Sequence, residues 1–172
     1  MKKAVCILAL TTALAGSAHA ENAQQTDIGA QQGLWLRAER TTVEVSQAGS
    51  AERDAHGVTS LNAVEMLCLS QLATHSQRVA DTAHGLIFVL GANSLVTSPD
   101  DQVKTRKVAV AELTEALHTL SDEQIAVTRM EGMCPSSGPV AAELQAVQSL
   151  LSNAHDQLAA LNSRLEGPAA HG

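Results

Sequence analysis

The chain has 172 residues, 45% of them hydrophobic but only 1% aromatic, with a formal net charge of −7. One Trp, one Phe and no Tyr offer few surfaces on which a large planar ligand could stack. The acidic balance excludes nucleic acid as a partner, because such partners need a basic footprint.

Residues 1–20 begin Met1-Lys2-Lys3, continue through an apolar stretch and end Ala18-His19-Ala20. This is the cationic start, apolar middle and small-residue end of a secretory signal peptide, with cleavage expected after Ala20. The apolar stretch is too short to remain as a membrane anchor. Cys6 lies too early to carry a lipid at the cleavage point. Cleavage leaves 152 of the 172 residues, and loss of Lys2 and Lys3 takes the net charge from −7 to −9. The mature chain is expected in the periplasm of a Gram-negative-type bacterium, with no stable membrane insertion.

Residues 21–59 are the least regular part. Residues 21–26 are polar. Residues 34–47 read as a short helix or, through Thr41-Thr42-Val43-Glu44-Val45, as a short strand. A helix is favoured because the amphipathic helices that follow need a fourth partner to cover their apolar stripes. Residues 48–58, with Gly49, Ser50 and Gly57, read as a loop.

Residues 60–166 form the expected long-helix bundle. One helix covers about 61–90, with Leu61, Val64, Cys68, Leu72, His75, Val79, Ala83, Leu86 and Leu90 on one side, and ends at Gly91 and Asn93. Ser98-Pro99-Asp100-Asp101 then supplies a capping hydroxyl, a first-turn proline and acids at the positive end of the helix dipole. From there Val103, Val110, Leu113, Leu117 and Leu120 mark an apolar face, and Gly132 stops the run. Ser121 to Gln124 also fits a capping box, which allows a break or kink near Leu120. Over 138–165, apolar residues at Val140, Leu144, Val147, Leu151, Ala154, Leu158, Leu161 and Leu165 follow a strict alternation of four and three. That spacing keeps one stripe on one helix face. Few flanking positions are charged, so packing within one bundle is favoured over a charge-specified dimer, and the oligomeric state stays open. Residues 167–172 form a tail.

Without Cys6 the chain holds two cysteines, Cys68 and Cys134. An even count in an oxidising compartment implies a disulfide between them. An up-down helix order brings both to the same end of the bundle. The bridge closes a loop of roughly 66 residues, worth about 4 kcal/mol in the chain-entropy model. The fold expected is therefore all-α, an elongated up-down four-helix bundle with coiled-coil-like packing and one disulfide. Leu, Val and Ala fill narrow seams without rings, so such a core leaves little room for a pocket.

Catalytic signatures are absent. There is no G-x-S-x-G, no C-x-x-C-H and no H-E-x-x-H, and the acid pairs Asp100-Asp101 and Asp122-Glu123 stand where helix starts use them. The chain is read as a non-enzyme without cofactor. His75, on an apolar face, is read first as a half-buried histidine bonded to a neighbour. Met66, His75, Met130 and Met133 are the candidate ligands should a metal such as copper(I) bind, since thioethers and imidazole suit it. Leu120-Ser121-Asp122-Glu123-Gln124 resembles the Leu-Thr-x-x-Gln motif of a periplasmic family of helical stress-chaperone and metal-resistance proteins. The resemblance covers five residues, occurs once and has Ser in place of Thr. These features favour a binding or adaptor protein that contacts another envelope protein, in stress sensing, chaperoning, secretion or immunity. The alternative is a copper or haem carrier.

Overall fold

A computed structural model describes residues 4–51 and 61–167, with side chains over 23–49 and 61–167. Four helices account for almost all of it: α1 Ala4–Ala51, α2 Ala63–Ser94, α3 Pro99–Met130 and α4 Pro139–Glu166. No strand occurs among the described residues. Residues 34–47 lie within α1. The β-branched run at 41–45 favours a strand locally, but burial of Leu34, Ala38 and Val45 at helical spacing overrides it. The helix also takes in residues 48–51, expected to start a loop; residues 52–60 lie outside the described ones. The expected cleavage point after Ala20 falls within α1, and its side chains lie outside the described set. The tail after Gly167 lies outside as well.

Local chemistry sets the helix ends. Asn62 Oδ1 accepts hydrogen bonds from the amides of Val64 and Glu65 at 2.9 and 3.0 Å. Glu65 Oε2 in turn accepts from the Asn62 amide at 2.7 Å, which completes a reciprocal capping box. At α3, Pro99 and the acids Asp100 and Asp101 stand in the first turn. Ser98 holds the cap position, but its hydroxyl makes no capping hydrogen bond. Gly138 precedes Pro139 at φ 78°, a backbone conformation that costs a residue with a Cβ and suits glycine. At the far end of α4, Arg106 donates to the carbonyls of Leu165 and Gly167, both at 2.6 Å. A guanidinium there satisfies exposed acceptors and complements the negative end of the helix dipole.

α3 does not break near Leu120. The Ser121 hydroxyl donates back to the Leu117 carbonyl at 2.9 Å and therefore caps nothing, and the helix continues to Met130. The α3 stripe also differs from the expected one. Ala109, Leu113, Ala116, Leu120, Glu123, Val127 and Met130 are buried, while Val103 is mostly exposed. The spacing is again four and three, with alanines at positions where large side chains would hold the helices apart.

Side-chain pairs fix the directions. Gln24 donates to the Leu90 carbonyl and Thr42 bonds Ser76, so α1 and α2 are antiparallel. Cys68–Cys134 and the Thr105-to-Asn93 bond make α2 and α3 antiparallel. Asp27–Arg164 and the Arg37-to-Gln157 bond do the same for α1 and α4. The result is an up-down-up-down bundle. α2 and α4 touch across its middle, whereas α1 and α3 do not meet among the described residues. The disulfide, with Cα atoms 5.9 Å apart, ties the first turns of α2 to the connection after α3. Leu72, Leu113, Leu120, Leu151, Leu158 and Leu161 are almost completely buried in the common core. Each contributes about 2 kcal/mol of transfer free energy.

Candidate functional site

Helix α2 is central because its two sides meet different partners. Toward α3 it presents His75 and Arg78. Glu123 occupies a core position of the α3 stripe and is only 5% exposed, so its carboxylate needs partners. His75 Nδ1 shares a hydrogen bond with Glu123 Oε2, and Arg78 Nη1 donates to Glu123 Oε1 at 2.5 Å. The imidazole is nearly enclosed, whereas the Arg78 side chain is 55% exposed and reaches inward from the surface. Two nitrogens thus hold one buried carboxylate at the α2–α3 seam. The cluster fixes the relative positions of the helices, because a one-turn slip would strand Glu123 without either partner.

Toward α1, the same helix forms an open groove of about 720 Å³. Met66 and Ala73 give it exposed apolar surface over a floor of the buried Val45 and Leu69, and the hydroxyls of Thr42, Ser46, Ser70 and Thr74 line it as well. Gly49 stands at one end of the groove, with room for a Cβ at ordinary contact distance. A Cβ there would lie 3.7 Å from Leu69 Cδ1 and 3.8 Å from Met66 Sδ. Between the narrow seams of the described residues this groove is an open surface channel between two helices.

Further along the α1–α2 seam stand the chain's single Trp and single Phe. The Trp35 ring stacks on His84 with centroids 5.0 Å apart and planes 14° from parallel. His84 in turn meets Phe88, also at 5.0 Å but tilted by 57°. Phe88 is 66% exposed, so the ladder runs from the partly buried Trp35 out to solvent. Trp35 Nε1 donates to Glu39 Oε1 at 3.3 Å. Gln77 Nε2 reaches the same Glu39 oxygen at 3.4 Å and Asp81 Oδ1 at 3.0 Å. Rings, carboxylates and groove form one continuous face.

The candidate metal ligands occupy separate surroundings. Met66 faces Gly49 at the groove, His75 is bonded to Glu123, Met130 is buried in the core and Met133 is 64% exposed. Among the described residues no group of three or more His, Cys, Asp or Glu is placed to hold a metal ion. No described helix is long and apolar enough to cross a membrane. On the seam between α1 and α4, burial pushes the Glu143 carboxyl above its ordinary value, and the carboxylate of Glu44 adds to the rise.

Glu123, expected at a helix start, lies instead mid-helix at a buried position. Continuing the four-three spacing from Leu113 through Ala116 and Leu120 places it on the stripe, a signal obscured by choosing larger residues over alanines. The aromatic ladder was accessible in part, since Trp35 and Glu39, like His84 and Phe88, are spaced for one helix face. Pairing them required the register of α1 against α2.

The fold and disulfide define an antiparallel all-α four-helix bundle. No family model, curated protein or solved structure matches the chain.

Proposed function

We propose that this chain is a secreted, periplasmic binding or adaptor protein that works by contact with another envelope protein through the α1–α2 face. The observation that carries this reading is Phe88. A phenylalanine two-thirds exposed, in a chain with one Phe and one Trp, extends a ring ladder instead of filling the core. Exposed aromatic residues beside an apolar groove are typical anchors for a partner. The leader-like residues 1–20 and the disulfide support export to an oxidising compartment. The reading spans stress-sensing, chaperone-like, secretion-associated and immunity or inhibitor roles.

The test is co-isolation from envelope fractions of cells producing wild-type protein or Phe88→Asp, with circular dichroism confirming equal helicity. A partner retained by the wild type and lost from the variant is expected. Equal recovery from both, or recovery of the protein in the cytoplasm alone, contradicts the proposal. The competing reading is a copper or haem carrier, and the separate surroundings of Met66, His75, Met130 and Met133 weigh against it. It predicts haem absorbance in the purified protein or thermal stabilisation by Cu(I).

A further inference from the structure

We infer that the α1–α2 face takes a basic amphipathic segment of its partner, with arginine or lysine side chains seated at the Glu39 and Asp81 carboxylates and, two turns along α2, against Phe88. The inference rests on the contact function proposed above and names the chemistry of the partner. Three observations converge on it. Glu39 and Asp81 receive hydrogen bonds from neutral donors, the Trp35 indole and the Gln77 amide. Among the described residues neither carboxylate lies within ion-pair distance of a cation. Arg78, the one basic residue lining the groove, is engaged with Glu123, so the charge of Asp81 remains uncompensated on this face.

Two helical turns from Asp81, about 10 Å along α2 and beyond His84, lies the exposed ring of Phe88. An aromatic face attracts a cation through its quadrupole, and the attraction favours arginine, whose planar group stacks on rings. The apolar groove from Asp81 to Met66 then receives the partner's apolar side chains. From Phe88 to Met66 the face extends about 33 Å along α2, the length of a partner helix of about 22 residues. A second copy of this chain fits less well. At a net charge of −7 it would bring acid against acid.

Two synthetic amphipathic peptides test this. They share a Leu/Ala apolar face and differ only in having Arg or Glu on the polar face. Trp35, the sole Trp of the chain, is the reporter at the site itself. The arginine peptide is expected to shift Trp35 emission saturably and the glutamate peptide to leave it unchanged. Phe88→Ala weakens arginine-peptide binding about fivefold. The double variant Glu39→Gln/Asp81→Asn removes the preference for arginine, and added salt weakens the wild-type interaction. Equal binding of both peptides, or a preference that survives the double variant, overturns the inference. So does self-association of the full chain, seen by sedimentation and abolished by Phe88→Ala. If Phe88→Asp still loses a cellular partner while the arginine peptide fails to bind, basic recognition is wrong and contact function stands. If neither effect appears, both fall.

Discussion

His75 on α2 and Glu123 on α3 are hydrogen-bonded at a core position of the seam between their helices. Arg78 holds the other carboxylate oxygen. Removing the acceptor leaves both partners uncompensated. Glu123→Ala should therefore lower stability by about 2 kcal/mol, less than for a fully enclosed pair because water can take over the half-exposed Arg78. Glu123→Gln, which keeps the volume and one acceptor, should lose less. Urea unfolding measures both, and a Glu123→Ala variant as stable as wild type contradicts a structural role for the cluster.

The Cys68–Cys134 bridge closes a loop across a sequence separation of 66 residues. Its removal by Cys68→Ser/Cys134→Ser should cost about 4 kcal/mol in chemical denaturation. Thiol titration of the oxidised, denatured chain lacking residues 1–20 should find no free thiol. Two free thiols would refute the bridge.

Glu143 provides a pH signature. Its folded-state pKa is raised, first by burial and then by Glu44, so the native chain binds a proton that the unfolded chain has lost. Its contribution is neutral below the ordinary carboxylate range. It then becomes increasingly destabilising as pH rises through the raised folded value. Glu143→Gln removes this loss, and so should raise the melting temperature at pH 7 while changing it little near pH 3. An equal shift at both values would assign the effect to something other than titration.

Gln31 is 1% exposed, and its Oε1 has no hydrogen-bond partner. A buried acceptor without a donor is destabilising relative to an apolar group of similar shape. Gln31→Leu should therefore raise stability by about 1 kcal/mol, read as a shift of the denaturation midpoint. A loss of stability would show that the amide is satisfied in solution.

Residues 138–165 show how much of the fold was legible. The four-three spacing there named seven of the eight buried positions of α4, missing Leu150 and adding the half-buried Leu165, because one large aliphatic side chain occupies nearly every turn. On α3 the apolar face was legible at Leu113 and Leu120, but Ala109 and Ala116 also do the packing and Val103 does not. Small residues carry little hydropathy signal, although close helix approach depends on them. Residues 41–45 show the opposite conflict, a local strand preference overruled by tertiary burial of α1. The pairing of Cys68 with Cys134 was accessible from counting alone. The binding face was not, because Trp35 and His84 are 49 positions apart and meet only through the antiparallel register of α1 and α2.

The central claim is that the α1–α2 face is where the chain meets its partner. The most direct measurement places a photo-crosslinking amino acid at position 88, and at exposed position 107 on α3 as a comparison, in the full chain in living cells. The account predicts one discrete adduct from position 88 and none from position 107. No adduct at 88, or the same adduct from both positions, would contradict it.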